Sequence, residues 1–211
     1  IIYYNAARQR AAPEDMLLTF AHEAYPGHML QKVSLAAGEL PDYRRATGFD
    51  AYTEGWAHYA DVYVCRYLDL EEPIKRLMQL DRTFGYAMMF RADLGVNYEG
   101  WTLVQLTDYL KKNYPGAAQA KQTFFKSYYD YAVKNPLRIA PYAVGRYEVD
   151  ALKAHYQAQL GNAFSDKLFH TEFLKRGEAP FSLIRKWLDG AVPAQVYRFA
   201  ECRNELLRRA S

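Results

Sequence analysis

His22, Glu23 and His28 put two imidazoles and a carboxylate within seven residues of a chain that holds five histidines in all. Zinc hydrolysis needs that inventory: neutral imidazoles to hold the ion, and a carboxylate to take a proton from the water it binds. In the familiar helical form, H-E-x-x-H, the histidines stand four apart and share one face. Here they stand six apart. On an unbroken helix that separation is a turn of about 600° and a rise of about 9 Å, which leaves the imidazoles about 120° apart. One ion with ligand bonds of about 2.0–2.1 Å does not span such a gap. The intervening Ala24-Tyr25-Pro26-Gly27 offers a way round it. Pro26 lacks the N–H that would bond the His22 carbonyl and crowds that turn, and Gly27 reaches φ values closed to other residues. The helix carrying His22 and Glu23 is therefore expected to break at Pro26-Gly27, turning His28 back toward His22. The competing reading is a Pro-Gly helix terminator between two ordinary histidines.

A third ligand is expected from Glu54, in Thr53-Glu54-Gly55-Trp56-Ala57-His58-Tyr59-Ala60-Asp61. Apolar positions 56, 60, 63 and 67 form one helical stripe, and Glu54, His58, Asp61 and Cys65 form another at spacings of four, three and four. A helix that presents Glu54 to the two imidazoles completes a two-histidine, one-carboxylate set with a position left for water. Asp61 then suits the outer shell, accepting the free ring N–H of a ligand histidine. Read blandly, the same face is solvated and carries a few charges.

With Leu30-Gln31 and Glu54-Gly55-Trp56-Ala57 following the first motif, the sequence resembles the bacterial "domain of unknown function 885" family, itself similar to gluzincin-type zinc metallopeptidases. The likeness continues through Asp93-x-Gly95, Gly100-Trp101-Thr102, Tyr142-x-x-Gly145 and Phe169-His170 with Gly177 and Pro180. The resemblance implies a mainly α, multi-helix, metallopeptidase-like domain with its active site between the two motif helices. It implies that His22, His28 and Glu54 hold one Zn2+ ion and that Glu23 is the general base. Members of the family usually carry histidine where this chain has Asn97, for which a substrate-binding role is expected, and leucine where it has His58, so a ligand role for His58 would be private to this chain.

Two further residues are candidates for the chemistry. Amide hydrolysis builds negative charge on the former carbonyl oxygen, and Tyr142, at a loop-to-helix junction, is placed to donate to it. Arg146, one turn later on the same face, is suited to grip a substrate carboxylate. The alternative for Tyr142 is a buried ring packed beside Gly145. His155 and His170 lack carboxylates at ligand spacing and read as structural or surface residues.

Residues 1–211 are expected to form a single helical domain with a sizeable core, rich in rings (19 Tyr, 11 Phe). Proline near helix starts and glycine near helix ends recur along the chain, as in Pro141 to Gly161 and Pro180 to Gly190. Helices are expected from Pro13 through Glu23, from His28 to near Gly38, around Glu54, from Pro73 to Arg91, from the Thr102-x-x-Gln105 capping box to Pro115, from Ala117 to Lys134, from Pro141 to Gly161, from Ser165 to Gly177, from Pro180 to Gly190, and after Pro193. Residues 41–50 read as a polar connection. Ile1-Ile2-Tyr3-Tyr4 reads as a short β-strand, and in peptidases of the resembled type such a strand pairs with the substrate backbone.

A net charge of +3 with interspersed signs gives no electrostatic footprint for nucleic acid. Two cysteines make no disulfide framework, and no apolar run is long enough for a membrane span. Because the sequence starts at Ile1 and the resembled proteins are much longer, it is expected to be the C-terminal catalytic part of a larger protein, whose N-terminal part would carry any export signal. The expected activity is zinc-dependent cleavage of peptide bonds; the alternative is a non-catalytic peptide-binding or scaffold domain that keeps the same fold.

Overall fold

The computed structural model describes residues 13–38 and 40–191. The expected strand at residues 1–4 and the helix after Pro193 lie outside the described residues. Among the described residues ten α-helices follow one another: α1 (Pro13–Glu23), α2 (His28–Ala37), α3 (Asp42–Ala46), α4 (Asp50–Val64), α5 (Glu72–Asn97), α6 (Leu103–Asn113), α7 (Gln122–Lys134), α8 (Ala140–Leu160), α9 (Asp166–Leu174) and α10 (Phe181–Ala191). Short 3-10 turns join some of them, and the described residues contain no strand. Nor do they contain a helix long and apolar enough to cross a membrane.

Local chemistry accounts for most of the boundaries. Thr102 and Gln105 form the expected reciprocal capping box at the start of α6, and the Ser165 hydroxyl accepts from the Leu168 N–H at the start of α9. Gly161 and Gly177 follow α8 and α9 with φ of 54° and 67°, a region that glycine enters without steric cost. Some boundaries move. The polar connection contains the short helix α3, α5 runs on to Asn97, α7 starts only at Gln122, and α10 continues through Gly190 to Ala191. Gly190 therefore does not close its helix. A glycine inside a helix costs only about 1 kcal/mol, which the packing of Ile184 and Leu188 outweighs.

Two buried clusters hold these helices. One gathers Tyr52 and Trp56 of α4, Val149 and Leu152 of α8, Phe169 and Phe173 of α9, and Ile184 and Leu188 of α10. The other joins Ala92 of α5, Leu106 and Leu110 of α6, and Phe125 of α7. In the first cluster the Tyr52 and Phe173 rings stack at 4.6 Å and Trp56 lies 5.4 Å from Phe173. Such pairs contribute about 0.5–1.5 kcal/mol each beyond the area they bury.

Helix α4 is the axis of the fold, packed by α1, α2 and most extensively by α8. The α4–α8 contact depends on two glycines. A Cβ on Gly55 would stand 2.4 Å from the Gly145 carbonyl carbon, and one on Gly145 would stand 2.1 Å from the Ala51 carbonyl oxygen. Any side chain at either position forces the backbones apart, and with them Tyr142 from Glu54.

Candidate metal centre

The chain between α1 and α2 turns back as the proline required. Helical bonding ends with Ala24 N–H donating to the Phe20 carbonyl; Gly27 N–H then donates to the Ala21 carbonyl at 2.8 Å, and Met29 N–H to Ala24. The Tyr25–Pro26 peptide is cis. Gly27 serves here by its lack of a side chain, since its φ is −78° rather than positive. A Cβ there would lie 1.8 Å from the His22 carbonyl oxygen, so the chain could not pass so close over the end of α1.

That turn brings the two histidines together, with ring centroids 4.8 Å apart and planes at 83°. Each Nε2 lies 3.4 Å from Glu54 Oε2 on α4. One ligating atom from each of His22, His28 and Glu54 falls within 4.8 Å of the others. Tetrahedral ligands at about 2.0–2.1 Å from one zinc ion lie about 3.3–3.4 Å from each other, close to the two nitrogen–oxygen separations. Glu54 Oε2 is buried with no hydrogen-bond partner, a costly state for a carboxylate oxygen unless a cation faces it. The donor set suits a single divalent ion, and its two nitrogen–oxygen separations already match the spacing of tetrahedral ligands.

The other nitrogen of each imidazole is anchored. His22 Nδ1 is 3.1 Å from Asp61 Oδ2, and His28 Nδ1 is 3.1 Å from Gln31 Oε1. Both partners are acceptors, so each Nδ1 carries a proton, which leaves each Nε2 as the atom free to ligate an ion beside Glu54 once it is deprotonated. Asp61, fully buried, is itself held by Arg82, whose Nε and Nη2 donate to Oδ2 at 3.1 and 3.0 Å. Gln31 is buried and reaches the Tyr52 carbonyl.

Without an ion the group is a charged pair. Burial disfavours the His22 imidazolium, but the Asp61 and Glu54 carboxylates outweigh it and raise the ring to about 9. Burial likewise opposes ionisation of Glu54, and the two imidazoles outweigh that, bringing the carboxyl down to about 2. Protons occupy the centre when a metal does not.

Tyr142 sits over this centre. Its ring stacks on His22 at 5.9 Å and on Tyr86 at 4.9 Å. Burial, then the adjacent Glu54 carboxylate, push its hydroxyl well above the ordinary tyrosine value, so it stays a donor. Glu23 is exposed at the last position of α1, and its charge, with those of Asp61 and Glu54, reaches the Tyr86 hydroxyl.

The other expected residues lie apart from the centre. Asn97 donates to Asp93 Oδ1 at 2.8 Å and to the Ala132 carbonyl at 3.1 Å, tying α5 to α7. Both amide protons are used in these bonds. Arg146 pairs with Asp150 and donates to the His58 carbonyl, bracing α8 on α4. His58 is buried outside the ligand group, with Nδ1 3.1 Å from the Tyr142 carbonyl; burial holds it down to about 4, so it is neutral. His155 pairs with Asp189, and His170 with the Tyr59 hydroxyl. Residue reasoning missed Arg82 and Tyr86, both from α5, and gave no role to Gln31, although its three-residue spacing from His28 is a same-face signal.

Residues 1–188 match the family described as "Bacterial protein of unknown function (DUF885)". The chain belongs to that family. No curated protein matches it. Among solved structures it is similar to a candidate lipoprotein from Colwellia psychrerythraea, at 25% identity and a TM-score of 0.70 over 85% of this chain and 30% of that one. It is also similar to a candidate lipoprotein of unknown function from Shewanella oneidensis, at 22% identity and a TM-score of 0.69 over 87% of this chain and 35% of that one. The chain thus spans about a third of the length of these two proteins.

Proposed function

We propose that this DUF885 protein is a metal-dependent hydrolase that cleaves peptide bonds. The observation that carries the reading is the convergence of His22 Nε2, His28 Nε2 and Glu54 Oε2, with each imidazole oriented from behind by Asp61 or Gln31. Two imidazoles and a glutamate from a later helix are also the donor types of gluzincin-type zinc peptidases, which favours zinc, although there the histidines share one unbroken helix. A zinc ion bound there supplies Lewis acidity and lowers the pKa of a water ligand toward about 7.

The chain's own residues supply the rest. Glu23, adjacent to His22 and open to solvent, accepts the proton at its carboxylate and passes it to the leaving amine. The Tyr142 hydroxyl, kept protonated by burial and by Glu54, donates to the oxygen on which charge develops. Asp61, fixed by Arg82, keeps the proton of His22 on Nδ1. A second reading is a metal-binding module that captures peptides without cutting them; it is favoured by the engagement of Asn97 and Arg146 in helix packing.

Elemental analysis with a peptide-cleavage assay on the purified protein tests both. Glu23→Gln should retain zinc and lose hydrolysis, and His22→Ala should lose both. Full cleavage by Glu23→Gln refutes the general-base assignment, and zinc without cleavage in the unmutated protein supports the binding module.

A further inference from the structure

Behind the metal centre lies a cleft of about 640 Å³, within the range of small-molecule sites. Its walls come from Leu30 of α2, Trp56, Tyr59 and Tyr63 of α4, and His170 and Leu174 of α9. At about 100° per residue, Glu54, His58 and Asp61 share one face of α4, whereas Trp56, Tyr59, Ala60 and Tyr63 lie about 180° away. Helix α2 divides the same way, with His28 and Gln31 toward the metal centre and Leu30, Ser34 and Ala37 toward the cleft. The cleft is therefore a separate site, sharing its inner walls with the metal centre. Tyr25 and Pro26 line it from the kink, and the Trp56 indole donates to the Pro26 carbonyl at 3.0 Å.

Its polarity is specific. Lys153 Nζ donates to the Tyr59 hydroxyl at 3.0 Å, so the Tyr59 proton goes to His170 Nε2 at 2.8 Å. Burial, then the Lys153 charge, hold His170 down to about 4, so the ring is neutral and its own proton is on Nδ1. No described group accepts that Nδ1–H, and it stands as an oriented donor on a wall edged by Trp56, Tyr59 and Tyr63. Aromatic walls also suit cations, but cations already occupy these rings: Arg66 lies 3.9 Å from the Tyr63 centroid and Lys153 lies 5.3 Å from both tyrosines. Lys167 and Lys175 line the cleft, and no carboxylate does; Lys175 is paired with Glu172, and Lys153 and Arg66 with Asp166.

We propose that this cleft is a second binding site, for a small aromatic or branched apolar carboxylate. The apolar body packs among Leu30, Trp56, Tyr63 and Leu174, and the carboxylate accepts from His170 Nδ1–H within reach of Lys167. The site does not depend on the metal reading, and its test is arranged to fail separately from it.

The probes are 3-phenylpropionate and its amide, titrated calorimetrically into the full chain as purified and again in the presence of a chelator. The expected result is one acid molecule bound per chain in both conditions, with the amide weaker by about tenfold, the value of a charge-assisted hydrogen bond. Ala37→Trp, at an exposed position on the rim, should close the cleft and abolish binding of both probes with the fold retained by circular dichroism. His170→Phe, which keeps the ring, and Lys167→Glu should each erase most of the preference for acid over amide. Equal binding of acid and amide, binding that survives Ala37→Trp, or no binding of either probe overturns the proposal. Binding that disappears with the chelator assigns the acid to the metal centre and overturns it too.

Discussion

Metal binding at this centre should be a proton exchange. In the metal-free chain His22 titrates near 9 because Asp61 and Glu54 flank a buried ring. At pH 7 such a ring is protonated in all but about one molecule in a hundred, and removing that proton costs about 2.7 kcal/mol at about 1.36 kcal/mol per pH unit. Protonation opposes binding, so the sign is definite: apparent zinc affinity should rise about tenfold from pH 7 to 8, rise again toward 9, and level above it. Calorimetry at pH 7 in two buffers of different ionisation enthalpy should count about one proton released per zinc bound. Replacing Asp61 with Asn removes a principal carboxylate holding the proton, so that variant should release fewer protons and show a shallower pH slope. A zinc affinity constant to within about threefold from pH 7 to 9, or a proton count below about 0.3 at pH 7, would refute the coupling of His22 to the metal position.

In the metal-free chain a His22 titrating near 9, against an ordinary 6.5, contributes stability fully present below pH 6.5 and lost as pH rises through 9. The total is about 3 kcal/mol, visible as a falling melting temperature over that window and absent from the zinc-loaded protein. Asp61→Asn should also weaken zinc binding by about 10- to 100-fold, measured against a chromophoric chelator. Gly145→Ala, with its Cβ at 2.1 Å from the Ala51 carbonyl oxygen, should destabilise by about 3 kcal/mol in denaturant titration; an unchanged midpoint would mean that the helices do not touch there. Asn97→Ala should cost about 1 kcal/mol by removing one of the two donors to buried Asp93 Oδ1, the Leu137 N–H remaining, yet leave cleavage per bound zinc unaltered; a fall in cleavage alone would assign Asn97 to the substrate site.

What could be read in advance was whatever depends on local covalent constraint. Pro26 removes a donor and blocks a turn in any context, so a break after Glu23 followed from the sequence, as did the capping box at Thr102. The face of α4 that carries Glu54 and Asp61 followed from helical period alone. The reason for Gly27 did not, because its requirement is set by the distance to the His22 carbonyl, a property of the folded turn. Arg82 and Tyr86 come from a different helix, and no spacing relates them to His22. The bonds of Asn97 could not be read in advance either, because the Ala132 carbonyl belongs to another helix and only the fold brings it within reach.

The centre is assembled by close backbone approach more than by the ligands themselves. His22 and His28 converge because the chain passes within a Cβ's reach of the His22 carbonyl at Gly27, and Glu54 meets Tyr142 because α4 and α8 touch at Gly55 and Gly145. Each contact admits only glycine, so the ligands can be unchanged in sequence and still be disarranged by a single methyl group elsewhere. It follows that zinc loading should fail in Gly27→Ala, which leaves every donor in place, while a chain altered at exposed Tyr147 on α8 should load normally. Equal zinc content in Gly27→Ala and the unmutated protein would show that the bend does not position the imidazoles, and the geometric account of the site would fall with it.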